Sequence, residues 1–338
     1  MKCTVCDSEN TEVCFKGSHP SWYPGMGGKP EHIAVCRDCC TAFRVDKPMD
    51  ENREKGYFEF GNDRSLPQLY KRFGDYFLQN SHEKLWIQEK ARSFFGRNSL
   101  SILDIGSKSG GFGYLFKLDG HSVRMIEPTK IFAEFTNDRL HIPTMCGFYT
   151  VDSYGAGEFD FLIAGGLIHR IDPPSNFFLA ASKHLKSGGY LYAREYNLLR
   201  LDASCFEWGL HRNWISKMGL IQLAAKYGFE FCNSINWEDL GAAVPENTKS
   251  TVGYLFRYTG VKSSVVALHD YSCRDVCLSV TATIFGVGIF NSFQQTKSRA
   301  SILYTINNIF GSVATYYLIG LPLRVIERFS RFAKRQLR

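Results

Sequence analysis

From Ser99 onward the chain alternates short apolar runs with segments of helical period, and this alternation restricts the fold more than any other feature of the sequence. The run SILDIG at 101–106 reads as a strand ending in glycine, GFGYLFKLDG at 111–120 as a helix, and HSVRMIEP at 121–128 as a second strand. TKIFAEFTNDRL at 129–140 follows as a helix, with Thr129 available as its cap. FDFLIAGG at 159–166 is a continuous apolar run suited to a strand buried on both faces, and PPSNFFLAASKHLKSGG and YLYAREYN supply the next helix and strand. WISKMGLIQLAAKYGFEF predicts a helix ending at Gly228 and then a strand, and GYLFRYTG a last strand that closes the domain by about residue 261. Such alternation predicts an α/β domain, a doubly wound and mostly parallel sheet with helices on both sides, whose ligands bind beyond the carboxyl ends of the strands.

Four divisions follow: a cysteine-rich module at 1–48, a helical linker at 49–97, the α/β domain at 98–262 and a tail at 263–338. In the linker, Leu85, Ile87, Ala91, Phe94 and Phe95 give an approximate helical stripe. A net charge of +7 could suggest a nucleic-acid partner, but six basic residues between Arg324 and Arg338 stand against the single acid Glu327 there. The rest of the chain is therefore close to neutral and lacks the charge of a phosphate-tracking surface, which makes nucleic acid an unfavoured partner. The first residues, MKCTVCDSEN, contain no apolar stretch fit for a secretory signal, so a cytoplasmic location is expected and the 11 cysteines there favour metal ligands or free thiols over disulfides.

Within the α/β domain, Asp104-Ile105-Gly106-Ser107-Lys108-Ser109-Gly110 places glycines where a strand must turn sharply into a helix. Glycine adopts backbone angles closed to other residues and lets a ligand approach the main chain. Glu127, about twenty residues on at the end of the next strand, is placed to accept both hydroxyls of a ribose. Turn and acid together predict a nucleoside site. The spacing is not the GxGxxG of dinucleotide enzymes. It resembles the first motif of class I S-adenosylmethionine-dependent methyltransferases, usually DxGxGxG, and VRMIEPTK is similar to their second. The segment from FDFLIAGG to YLYAREYN resembles their later strand, histidine, proline-capped helix, Lys-x-Gly-Gly turn and strand, so that the likeness covers roughly residues 99–235.

The resemblance implies that Gly106, Ser107, Lys108 and Gly110 line the methionine part of S-adenosylmethionine, that Asp104 organises the turn, that Glu127 holds the ribose, and that Gly165 and Leu167 lie beside it. Lys108 stands in the place of the middle glycine, and no acid follows the third strand in CGFYTVD. Methyl transfer to a hydroxyl wants a base, and His169 and His211 are the candidates, the second matching a histidine of related glycan-modifying enzymes.

Cys3-x-x-Cys6 and Cys36-x-x-Cys39 form two knuckles about thirty residues apart, an arrangement suited to structural Zn²⁺, with Cys40 able to replace Cys39 and Cys14 left as a spare thiol. A module of this kind before a methyltransferase domain resembles families acting on nucleotide-linked sugars and surface glycans. The expected substrate is thus a sugar or glycan intermediate, nucleotide- or lipid-linked. A non-catalytic binding protein on the same fold and an RNA methyltransferase are the alternatives. In the tail, 276–296 and 300–323 carry no charged residue, which predicts a helical hairpin at a membrane interface, with the basic end on an anionic membrane surface on the cytoplasmic face of the inner membrane; packing on the protein itself is the other reading.

Overall fold

The computed structural model describes residues 1–18, 30–45, 64–96, 99–201, 211–237, 250–263, 272–277 and 279–280. Its principal sheet has seven strands: β4 (Ser101–Ile105), β5 (Ser122–Glu127), β6 (Thr144–Cys146), β7 (Phe159–Gly165), β8 (Leu185–Tyr196), β10 (Phe229–Asn236) and β11 (Thr251–Tyr258), in the spatial order β10-β11-β8-β7-β4-β5-β6. The strands from β4 to β8 run parallel, and β11 and β10 add an antiparallel edge. The expected doubly wound, mostly parallel sheet is present. Its order reverses at β4, where the chain first builds outward through β5 and β6 and then returns to place β7 and β8 on the other side. The crevice at the carboxyl ends of β4, β5 and β7 is therefore the switch point at which such sheets take ligands.

Strand periodicity divides the core into two layers. Ile102, Val123, Met125, Phe161 and Ile163 face one side, where α1 (Leu66–Lys90), α3 (Gly111–Leu118) and α4 (Lys130–Asp138) cover them with Leu69, Trp86, Ile87, Phe112, Phe116 and Phe132. Leu103, Ile105, Ile126, Leu162 and Ala164 face the other, against Phe177 and Phe178 of α5 (Ser175–His184) and Leu220, Leu223 and Ala224 of α6 (Lys217–Lys226). The linker forms α1 and the single turn α2 (Arg92–Phe95). Ile87, Ala91 and Phe94 are buried at the expected spacing, but Leu85 is 63% exposed. Residues two apart on a helix point about 200° away from each other, so Leu85 cannot share the face of Ile87.

A second sheet contains β1 (Thr11–Ser18), β2 (Pro30–Cys36), β3 (Ala42–Arg44) and β9 (Asn213–Trp214), in that order and antiparallel throughout. Its fourth strand comes from within the α/β region, between β8 and β10. β9 pairs Trp214 with Ala42 and Asn213 with Phe43, and the backbone N–H of Arg44 donates to the carbonyl of Arg212 at 3.0 Å. Residues 272–277 and 279–280 lie on the same sheet, with Val276 and Val280 buried against Phe15, Ile33 and Trp214, and Cys273 Sγ 2.7 Å from Cys40 Sγ. The remainder of both apolar runs and the basic end, 281–338, lie outside the described residues. Among those described, no helix is long and apolar enough to cross a membrane.

Candidate active site and cysteine cluster

The turn after β4 is built on left-handed backbone angles at Gly106 (φ 67°), Lys108 (φ 51°) and Gly110 (φ 79°). A Cβ on Gly110 would stand 2.7 Å from Thr136 Cγ2 and 2.9 Å from Leu140 Cδ1, so this glycine is required both by its angles and by the approach of α4. Asp104 Oδ2 accepts the backbone N–H of Gly113 at 2.9 Å, tying the first turn of α3 to the end of β4. Burial pushes the Asp104 carboxyl up to about 7; the Gly113 hydrogen bond opposes the shift and the nearby Glu127 adds to it.

Glu127 closes β5 beside this turn. Its Oε2 accepts the backbone N–H of Lys108 at 2.8 Å and its Oε1 that of Thr129 at 2.9 Å. The Thr129 side chain also donates to this carboxylate, which is thereby fixed in orientation at the end of β5. Ser107 Oγ and Ser109 Oγ are buried in the turn with no hydrogen-bond partner among the described residues. Buried hydroxyls are nearly always satisfied, so this pair fits a polar group that the turn is shaped to receive. Leu167 covers the turn from the β7 side, its Cδ1 3.5 Å from where a Gly106 Cβ would be, and Gly165 leaves room for Arg194, whose Nη2 would lie 3.5 Å from a Cβ there. The turn residues, Glu127, Gly165 and Leu167 are thus gathered at the switch point. Orphaned hydroxyls, an oriented acid at the end of β5 and a glycine-lined backbone fit the amino-acid and ribose portions of S-adenosylmethionine.

His169 follows β7 on a single 3-10 turn, Ile168–Arg170, and is buried. Its Nδ1 lies 2.8 Å from Glu195 Oε2, while Glu195 Oε1 accepts the N–H of Ile168 at 3.0 Å. Arg170 Nε donates to His169 Nε2 at 3.3 Å, which assigns the proton to Nδ1 and leaves Nε2 as the lone-pair nitrogen. Burial, then the charges of Arg170, Lys108 and Arg194, hold the imidazole well below the usual histidine range, so it is neutral at physiological pH. Burial raises the Glu195 carboxyl to about 8 against donation from the backbone N–H groups of Ile168 and His169. His211 is also buried, its ring edge-on to His169 at 4.6 Å and its Nε2 3.5 Å from Tyr196 Oη. The two predicted histidines are therefore neighbours.

Three partners of this site are not evident in the sequence. Glu195 stands at the end of β8, where its only signal is an acid interrupting the apolar run YLYAREYN. Its neighbour Arg194, equally out of place, is buried and bonds Glu83 of α1 and Asn80 Oδ1, the latter at 3.1 Å. Tyr76 of α1 accepts a hydrogen bond from Lys108 Nζ at 2.9 Å. A charged residue in a buried strand implies a partner, but the partners of Glu195 and Arg194 lie 26 and 111 residues away.

In the N-terminal sheet the sulfurs of Cys3, Cys6, Cys36 and Cys39 all lie within 4.8 Å of one another, with Cys3–Cys39 at 3.6 Å and Cys6–Cys36 at 3.5 Å. A tetrahedral site with Zn–S bonds of about 2.3 Å has sulfur–sulfur edges of about 3.8 Å, so the four are close to ligand spacing. Hydrogen bonding from Cys3 and Cys39 holds the Cys36 thiol well below its usual range. Cys40, the alternative fourth ligand, is instead turned toward Cys273.

A family model described as a methyltransferase domain matches residues 63–233, just over half of the chain. No match was found among curated proteins. Among solved structures, an S-adenosylmethionine-dependent methyltransferase from Mesorhizobium loti is similar at 13% identity, over 47% of this chain and 91% of that one, with a TM-score of 0.40. A methyltransferase from Methanosarcina mazei is similar at 16% identity over 48% and 93%, TM-score 0.38, and the [4+2]-cyclase SpnF at 13% over 50% and 78%, TM-score 0.40. With the family match laid over the sheet, the glycine turn and the acid of β5, the chain belongs to the methyltransferase-domain family and is a class I S-adenosylmethionine-dependent methyltransferase.

Proposed function

We propose that this enzyme methylates a hydroxyl of a sugar or glycan intermediate, nucleotide- or lipid-linked, with His169 as general base. The observation that carries the reading is the buried, neutral His169, oriented by Glu195 and placed after β7 at the same strand tips as the glycine turn. In this reading Gly106, Ser107, Lys108 and Gly110 receive the methionine portion of the donor, Asp104 fixes the turn, Glu127 takes the ribose hydroxyls, and Gly165 and Leu167 border the nucleoside. The bound donor supplies an electrophilic methyl group on a sulfonium.

The protein's main task in such a displacement is alignment. An acceptor hydroxyl taking the place of Arg170 Nε at His169 Nε2 would pass its proton there as its oxygen gains the methyl group. Nδ1–H, held by Glu195, keeps the ring in the tautomer that can receive it. His211, edge-on to His169, holds the ring plane. A thiol or amine acceptor of low pKa would not need this dyad, and for that reason a hydroxyl is favoured. The sugar assignment rests on the likeness of the cysteine module to those of glycan-modifying methyltransferases, and we assign Cys3, Cys6, Cys36 and Cys39 to one structural Zn²⁺.

Incubation with methyl-labelled S-adenosylmethionine and a panel of nucleotide sugars and glycolipids should label a sugar hydroxyl. His169→Ala should lower kcat by about a hundredfold or more while leaving donor affinity within about threefold. Transfer to RNA, or unchanged turnover in the variant, would defeat the reading.

A further inference from the structure

A lysine in the donor turn sets an electrostatic difficulty, because an ammonium beside a sulfonium repels it. The backbone of Lys108 faces the ribose acid, its N–H donating to Glu127 Oε2 at 2.8 Å. Its side chain goes the other way. Nζ donates to Tyr76 Oη at 2.9 Å and stands 5.0 Å from the centre of the Tyr76 ring, so the phenol oxygen of one α1 residue holds the ammonium at the ring's outer edge. Tyr76 is fixed in place by close packing: a Cβ on Gly111 would lie 2.6 Å from Phe77 N and 2.9 Å from Tyr76 Cβ, so α1 rests directly on the first residue of α3. Burial would raise the Tyr76 phenol, yet the charge and hydrogen bond of Lys108, with Arg72 and Arg194, bring it below its ordinary value, a sign of the strength of the pairing.

We propose that Tyr76 is a positioning residue that holds the Lys108 ammonium off the donor sulfonium, and that the Lys108–Tyr76 pair thereby sets the preference of this site for S-adenosylmethionine over its uncharged thioether product, S-adenosylhomocysteine. The inference rests on the turn being the donor site. Donor and product differ at the sulfur by one methyl and one positive charge, so a cation nearby weakens the donor alone. Released from Tyr76, the ammonium can swing over the strand tips, where its charge already bears on His169.

Equilibrium dissociation constants for both ligands, measured by calorimetry on the full chain, test this. Tyr76→Phe keeps the ring and its packing, and its melting curve checks the fold. It should weaken S-adenosylmethionine about tenfold and S-adenosylhomocysteine less than about twofold. Lys108→Met, the independent arm, should raise the donor-to-product preference, and Tyr76→Phe placed on that background should leave the ratio unchanged. Equal weakening of both ligands by Tyr76→Phe, or the same donor-specific loss without Lys108, overturns the proposal while sparing the donor site. Wild-type protein that binds neither ligand overturns the donor site, and this inference with it.

Discussion

Glu195 carries a carboxyl that burial raises to about 8, and the consequence for stability has a definite sign. The folded state holds the proton more tightly than an unfolded chain with a carboxyl near 4.5, so this group's contribution is fully present below about pH 4.5 and is lost as pH rises through about 8. Glu195→Gln removes the titration. Its melting temperature, tracked from pH 5 to 8.5, should decline less steeply than that of the wild type. Turnover moves in the opposite direction, because an ionised Glu195 stabilises the imidazolium formed as His169 takes a proton. The wild-type kcat should rise through about pH 8, and Glu195→Gln should lose that rise together with about tenfold to a hundredfold of its rate. At the other end of the site, Glu127→Ala should weaken the donor by about tenfold or more, read as a dissociation constant, through loss of a charged acceptor for two hydroxyls. The turn and Glu127 were legible in the sequence because their chemistry is local: glycines at a strand end and an acid one strand later. Glu195 and Tyr76 were not, since each is defined by a partner that only the fold brings near.

Among the elements, the two-residue strand β9 does more than its length suggests. Its neighbour Ser216 caps α6 by accepting the N–H of Gly219 at 2.8 Å, donates its hydroxyl to the carbonyl of Cys39, and donates its own N–H to Thr41 Oγ1 at 3.3 Å. Thr4 Oγ1 reaches Asn213 Oδ1 at 2.6 Å from the first knuckle. Gly219 permits this contact: a Cβ there would lie 2.5 Å from Thr41 Oγ1 and 3.2 Å from Val5 Cγ1. Gly219→Ala should therefore destabilise the protein by about 1–3 kcal/mol, measured by denaturant unfolding, despite the better helix propensity of alanine, and should speed metal loss to a chelator. The alternating strands and helices between Ser99 and Tyr258 were readable from period and punctuation. The strands of the cysteine sheet were not, because β3 and β9 are too short to show a period and their pairing joins residues 172 positions apart at Ala42 and Trp214.

Across the whole molecule, one path of hydrogen bonds and chain continuity joins the cysteine cluster to His169. Cys39 holds Ser216, β9 leads back to Arg212, and the N–H of Arg212 donates to the carbonyl of His169 at 2.9 Å. The proposed metal ligands Cys3, Cys36 and Cys39 also share a packed cluster with Leu103, Ile105 and Ile126 of the central strands. Purified protein should contain about one zinc per chain by elemental analysis, and Cys36→Ser should lower both zinc content and kcat even though no cysteine of the cluster touches the proposed reacting groups. Any influence carried along this path is mutual: what a filled thiolate site would do to hold the donor, a held donor would do in equal measure to retain the ion. Metal release to a chelator, timed with and without S-adenosylmethionine, measures that exchange of influence directly: a difference between the two rates means that the thiolate cluster and the donor turn act as one unit.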